Sequence, residues 1–209
     1  MTEEEARAWL VARNVSRETF AALERFVALL IEENSHQNLI SAATIPNLWS
    51  RHIVDSVQLL DLAPGKGSWI DLGSGPGFPG LIIAALGDRP VTLIEERTKR
   101  VAFLRAASAL LGIADRTHIV AAKVERVPSQ PFAVISARAF APLPRLLTVA
   151  EHLSDKSTLW VLPKGRNAEA ELAGLDRSWQ GNFEVVPSVT DSESAIIVAT
   201  GVSRGKGRR

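Results

Sequence analysis

The chain contains no cysteine, which excludes disulfides, thiolate metal sites and cysteine nucleophiles together. It has no apolar run near the ~20 residues that a bilayer crossing needs; the longest, residues 81–86, stops at Gly87-Asp88. It also lacks a basic leader, because it opens Met1-Thr2-Glu3-Glu4-Glu5, the wrong charge for a secretory signal. A cytoplasmic protein with no membrane partner is expected. Net charge is low as well, at +1 from 24 Lys+Arg against 23 Asp+Glu. The 209 residues are 46% hydrophobic and 22% charged, which fits one soluble globular unit and excludes a wholly disordered chain.

The distribution of charge says more than its sum. Arg97, Lys99, Arg100, Arg105, Arg116, Lys123 and Arg126 face only Asp115 and Glu125 over residues 97–126, and the chain ends Arg204-Gly205-Lys206-Gly207-Arg208-Arg209. A polyanionic partner explains both features. A solvated helix face and a ragged tail explain them equally well.

Three sections follow from the pattern: a helical cap over 1–66, an α/β core over 67–201 and a basic tail over 202–209, forming one structural unit. Thr2 and Glu5 have capping-box spacing, and Ser16 caps a second helix whose Phe20, Leu23, Phe26, Val27, Leu30 and Ile31 share a face. Pro46, suited to a first turn, opens a third helix ending before Pro64-Gly65. Strands are expected at 68–72, 91–95, 118–121, 132–136, 158–162, 183–186 and 195–199, with helices at 79–86, 99–111 and 143–153. This alternation specifies a doubly wound, Rossmann-like parallel sheet. The link between the last two strands is too short for a crossover helix, so that pair is antiparallel.

The informative segment is Asp71-Leu72-Gly73-Ser74-Gly75-Pro76-Gly77-Phe78-Pro79-Gly80. It lies between a strand and a helix, where glycines admit positive φ and close ligand approach. Glu95 ends the next strand, and an acid there can hold ribose hydroxyls. The run from Gly75 to Gly80 also fits G-x-G-x-x-G, so a dinucleotide competes, with its pyrophosphate at the helix N-terminus. Asp71, aimed into the same crevice, would repel that anion by about 1–4 kcal/mol per charge pair. It would attract the ammonium and sulfonium of S-adenosylmethionine, and charge decides for the sulfonium cofactor. The Asp-x-Gly-x-Gly-x-Gly spacing with Glu95 beyond resembles class I methyltransferases.

Further segments carry a narrower likeness: Asn38-Leu39-Ile40, Arg51-His52-Ile53-Val54-Asp55-Ser56, Lys99-Arg100-Val101-Ala102-Phe103-Leu104, Ser136-Ala137-Arg138-Ala139 and Pro163-Lys164-Gly165. With the glycine loop they make the sequence, over nearly its whole length, resemble the bacterial 16S ribosomal RNA guanine-N7 methyltransferase G family, also called glucose-inhibited division protein B. The resemblance implies methyl transfer to N7 of guanine 527 of 16S rRNA, on the small subunit or its assembly intermediate. It implies cofactor contacts at Gly73, Phe78, Val124, Glu125 and Arg138, the last near the methyl acceptor. Asp71, Gly75, Gly77 and Glu95 join that set from the loop reading. A structural ion pair of Arg138 with Asp71 or Glu95 is the competing role. Arginine is more usual than Lys123 before the Val-Glu pair, and lysine keeps the charge without the bidentate fork.

Guanine N7 has an exposed lone pair and loses no proton, so in-line attack needs distance and alignment and no general base. No acid–base pair and no metal site is assigned. A cysteine-dependent pyrimidine C5 reaction is excluded. The run Ser136-Ala137-Arg138-Ala139-Phe140 also departs from the Asn/Asp-Pro-Pro-aromatic sequence of many amino-group methyltransferases. Phe140 stacks on the target base or packs in the core. Arg51, His52, Arg97, Lys99, Arg100, Lys123, Phe140 and Lys164 are the RNA-binding candidates, on a monomeric protein. Two other readings stand beside this one: a small-molecule methyltransferase with the cap as lid, and a non-catalytic nucleotide- or RNA-binding module.

Overall fold

The computed structural model describes residues 1–205. Seven strands form one sheet in the order β3-β2-β1-β4-β5-β7-β6. The strands are β1 (Trp69–Leu72), β2 (Val91–Ile94), β3 (Thr117–Val120), β4 (Val134–Ser136), β5 (Leu159–Gly165), β6 (Trp179–Pro187) and β7 (Ala195–Arg204). β1 to β5 are mutually parallel, β7 runs antiparallel to β5, and β6 runs antiparallel to β7. The expected antiparallel pair is therefore present. β7 continues past the expected boundary at 201 as far as Arg204, and residues 206–209 of the expected basic tail lie outside the described residues.

Alternation along each strand divides the core between two faces. Trp69, Val91, Leu93, Val134, Val161 and Ile196 join the apolar cluster that includes the N-terminal helices. Ile70, Leu72, Ile94, Ile135, Trp160 and Ile197 join the cluster on the other face. That period of two is the geometry of a strand whose neighbours cover both sides. On the first face lie α1 (Glu3–Ala12), α2 (Arg17–Gln37), α3 (Asp55–Leu62), α4 (Gly80–Leu86) and α5 (Thr98–Leu110); α6 (Leu143–Ala150) and the short α7 (Ala168–Ala173) cover the second. Among the described residues no helix is long and apolar enough to cross a membrane.

The helix starts read from sequence are present. Thr2 and Glu5 exchange both bonds of a capping box at 3.1 and 2.8 Å, and Ser16 accepts from the Thr19 amide. The third helix differs. Pro46 sits inside a 3₁₀ segment, Ala42–Asn47, and a π-helical turn, Trp49–Val54, precedes α3. The Glu3 carboxylate accepts from the amides of Trp49 and Ser50, both at 2.9 Å. An acid from α1 thus satisfies the first free donors of the π turn. No local sequence signal announces that long-range contact, and π turns of this kind gather at functional sites.

Candidate active site

Two cavities open at the carboxyl ends of β1 to β5, on either side of the segment after β4. This is where strand order reverses between β1 and β4, the place at which open α/β sheets take ligands. The smaller cavity, about 320 Å³, is lined by Gly73 after β1, Glu95 after β2, and Val124 and Glu125 in a 3₁₀ turn after β3. The larger, about 590 Å³, is lined by Arg51, His52 and Asp55 of the cap, Arg138 after β4, and Lys164 on β5. Ala139, Phe140 and Ala141 line both. They form the wall between the two.

Gly73, with φ +67°, sits against this wall, and a Cβ there would meet the Phe140 ring at 2.6 Å. Glycine is required by backbone conformation and by the aromatic neighbour together. Glu95 is almost fully buried; its Oε1 accepts from the Arg97 amide at 2.9 Å and its Oε2 from the Gly75 amide at 3.0 Å. A carboxylate has about four acceptor positions, so lone pairs remain for hydroxyl donors in the cavity.

Asp71 is placed differently from the expectation. It does not line either cavity; it is fully buried beneath the glycine loop. Its Oδ2 accepts from the Gly80 amide at 3.3 Å and its Oδ1 from Ser136 Oγ at 2.8 Å, while Ser136 Oγ accepts from Trp69 Nε1 at 2.8 Å. Burial pushes the Asp71 carboxyl up to about 6, against the pull of hydrogen bonds from Ser136, Ser74 and the Gly80 amide. Trp69, Asp71 and Ser136 meet because all three point to the same face of the sheet. Asp71 takes the first amide of α4 and Glu95 takes that of Gly75, so two amides that a pyrophosphate would use are already bonded to carboxylates.

Phe78 lines neither cavity; it is 3% exposed, stacked on His52 at 4.9 Å and 15°, and edge-on to Phe26 at 5.6 Å. Gly75 and Gly77 line neither cavity and shape the loop instead; a Cβ on Gly77 would strike Leu81 at 2.3 Å.

Arg138 pairs with neither Asp71 nor Glu95. Its Nη1 donates to His52 Nδ1 at 2.8 Å and to the Arg51 carbonyl at 3.2 Å, and its guanidinium lies 5.1 Å from the Phe78 ring centre. Because a guanidinium only donates, Nδ1 of His52 accepts, which assigns the proton to Nε2, beside Thr44 Oγ1 at 3.0 Å. Burial, then the charges of Arg138 and Arg51, lower the His52 pKa to about 3. His52 is thus neutral, 7% exposed, and lines the larger cavity. Burial lowers the Arg138 pKa, while Asp55 and Asp71 raise it.

Other RNA-binding candidates are committed within the protein. Arg51 bridges to Asp191 at 2.6 Å, and Asp191 is held at about 2 by the Glu193 amide and Arg51. Lys164, with its side chain 6% exposed, pairs with Glu171 at 2.8 Å and donates to the Ala141 carbonyl at 2.8 Å. Arg100 lies 4.0 Å from Glu95 and Lys123 3.8 Å from Glu96. With Arg97 they line the smaller cavity, so they belong to its rim more than to a separate surface. Lys99 is exposed on the first turn of α5 and lines neither cavity. Glu171, Thr44 and Arg145 also line these cavities and were not anticipated. The only sequence signal for Glu171 is its short Ala/Glu helix, closed by Gly174.

Comparison with known proteins agrees with this architecture. The chain is 54% identical over 214 residues to the ribosomal RNA small subunit methyltransferase G of Rhizorhabdus wittichii, covering 100% of this chain and 98% of that one. It is 54% identical over 202 residues to the protein of the same name from Sphingopyxis alaskensis, covering 95% and 86%. Among solved structures, an RNA methyltransferase from Salinibacter ruber in complex with S-adenosyl-L-homocysteine superimposes with TM-score 0.57 at 19% identity, covering 73% of this chain and 94% of that one. That likeness supports the fold. A family match described as rRNA small subunit methyltransferase G spans residues 19–196, and the chain belongs to that family.

Proposed function

We propose that this protein transfers a methyl group from S-adenosylmethionine to N7 of guanine 527 in 16S ribosomal RNA. The observation that carries the reading is the shared wall: two cavities, of about 320 and 590 Å³, meet at Phe140. The names of the relatives support the rRNA substrate. The S-adenosyl-L-homocysteine in the Salinibacter structure supports the cofactor.

The residues present fit that cofactor. Gly73 brings bare backbone to the cavity while leaving the Phe140 ring its place in the wall, Glu95 offers free lone pairs to ribose hydroxyls, and Val124 with Glu125 flanks the position for adenine. When bound, the cofactor supplies a methyl carbon made electrophilic by its sulfonium, whose sulfur keeps the bond pair as the methyl leaves. The chain's own contribution is positional. Arg138, fixed by neutral His52, places a positive charge at the acceptor cavity, and Phe140 offers a ring for the target base to stack on. No side chain need remove a proton, since N7 carries none.

The protein acts as a cytoplasmic monomer on the small subunit or its assembly intermediate. Exposed Arg97 and Lys99 are its best-placed phosphate contacts, because Arg100, Lys123 and Arg51 face carboxylates. Tritium transfer from labelled cofactor to purified small subunits or bare 16S rRNA, followed by mass spectrometry of rRNA fragments, tests the reading. Label at N7 of guanine 527 is the expected result. Label at another base, label in a metabolite, or binding without turnover overturns it.

A further inference from the structure

Lys164 and Glu171 are conspicuous because they line the larger cavity yet are held almost out of solvent, at 6% and 23% side-chain exposure. A lysine ammonium has three donors. Two of them go to Glu171 Oε2 and the Ala141 carbonyl, both at 2.8 Å. Glu171 Oε2 accepts from that ammonium and from the Leu143 amide at 2.7 Å. Among the described residues Glu171 Oε1 has no partner. One donor and one acceptor therefore stand on the cavity wall on two side chains joined by the 2.8 Å contact between Lys164 Nζ and Glu171 Oε2.

Between the two purines, that order matches guanine. Around its edge guanine presents the N7 acceptor, then the O6 acceptor, then the N1–H and N2–H donors. Adenine has a donor at N6 and an acceptor at N1, the reverse pattern. In the protein the Lys164 ammonium is bonded both to the carbonyl of Ala141, next to Phe140 in the wall, and to the Glu171 carboxylate. A guanine with one face on the Phe140 ring and its N7 edge toward the cofactor cavity brings O6 to Lys164 and N1–H and N2–H to Glu171. Asp55 is the other carboxylate lining this cavity. Its Oδ1 accepts from Gln58 at 2.8 Å and Thr190 at 2.7 Å, but among the described residues no cation is ion-paired with it, so it lacks the adjoining donor that Lys164 gives Glu171.

We propose that Lys164 and Glu171 determine base specificity, Lys164 Nζ donating to O6 and Glu171 Oε1 accepting from N1–H and N2–H of the target guanine. This rests on the guanine-N7 reading above. Low exposure gives the pair its selectivity, because a base of the wrong pattern leaves a desolvated charge without a partner.

The test uses the full-length protein and small subunits assembled on ligated 16S rRNA with guanine, inosine or 2-aminopurine at the target. All three keep N7. Inosine lacks the N2 amine, and 2-aminopurine lacks O6 and N1–H. Wild type is expected to lose about tenfold in kcat/KM on inosine and about 100-fold on 2-aminopurine. Glu171→Gln lowers turnover of guanine and narrows the guanine-to-inosine ratio toward one. A merely structural Glu171, holding the Leu143 amide, lowers both bases by the same factor, and that result overturns the proposal. If Glu171→Gln does not fold, Lys164→Met is compared on guanine and 2-aminopurine, where a ratio narrowed toward one supports the pair and an unchanged ratio overturns it. Equal rates on all three bases refute the reading of this edge while leaving N7 transfer intact. Absence of transfer to guanine itself refutes the parent reading instead.

Discussion

Arg138 donates a hydrogen bond to Nδ1 of His52 across 2.8 Å, and this contact fixes the imidazole as neutral. Its folded pKa of about 3 lies below the ordinary 6.5 because of burial and the charges of Arg138 and Arg51. The sign is that of a depressed base: the unfolded chain takes up the proton first. Stability from this group is full above pH 6.5 and falls as pH drops toward 3. Between pH 7 and 5 the loss is about 2 kcal/mol. Urea unfolding at both pH values should show that loss in wild type and a smaller one in His52→Gln. Nitrogen NMR should find His52 protonated on Nε2 and not titrating between pH 5 and 8. A midpoint in that range would refute the neutral assignment.

Phe140 forms the wall between the cavities and rests on Gly73. If it stacks on the target base, Phe140→Ala should lower kcat/KM for RNA by about 5- to 150-fold, the equivalent of about 1–3 kcal/mol of base–aromatic stacking. Cofactor affinity by calorimetry should stay within a few-fold of wild type. Unchanged turnover would end the stacking role.

Phosphate contacts release counterions, so RNA affinity should fall on a log–log plot against salt. Two contacts, Arg97 and Lys99, predict that Arg97→Gln with Lys99→Gln reduces that slope by about 1.4–1.8, at ~0.7–0.9 per phosphate. Arg51→Gln should leave the slope unchanged, since Arg51 already pairs with Asp191. Filter binding from 50 to 300 mM salt measures both, and a flat wild-type slope would remove the phosphate surface altogether.

The fold was legible because its strands are buried on both faces and separated by glycine and proline punctuation. The glycine loop announced where a ligand enters. Less legible were contacts made across the chain. Asp71 reads as a pocket acid until Ser136, 65 residues later, is seen to hold it under the loop. The break at Trp49 depends on Glu3, and Glu171 depends on Lys164 from another element. Basic residues marked a region, but sequence cannot show that Arg100 and Lys123 face acids on the cavity rim.

Ser136 relays between two buried groups, accepting from the Trp69 indole and donating to Asp71. Ser136→Ala leaves an indole N–H and a carboxylate oxygen without partners, at a cost of about 2–4 kcal/mol. The cost should depend on pH. Burial first, against its hydrogen bonds, sets the Asp71 carboxyl at about 6, above its ordinary 3.8. A raised acid favours the folded state below the unfolded value, and that contribution is lost as pH climbs through about 6. Removing the Ser136 donor raises the folded value further, because that hydrogen bond favours the ionised form. The variant's deficit should therefore be larger at pH 8, where the unpaired carboxylate must ionise, than at pH 5, where it stays protonated. Guanidinium unfolding of both proteins at the two pH values measures the difference, and an equal deficit would show that Asp71 is not the group being held.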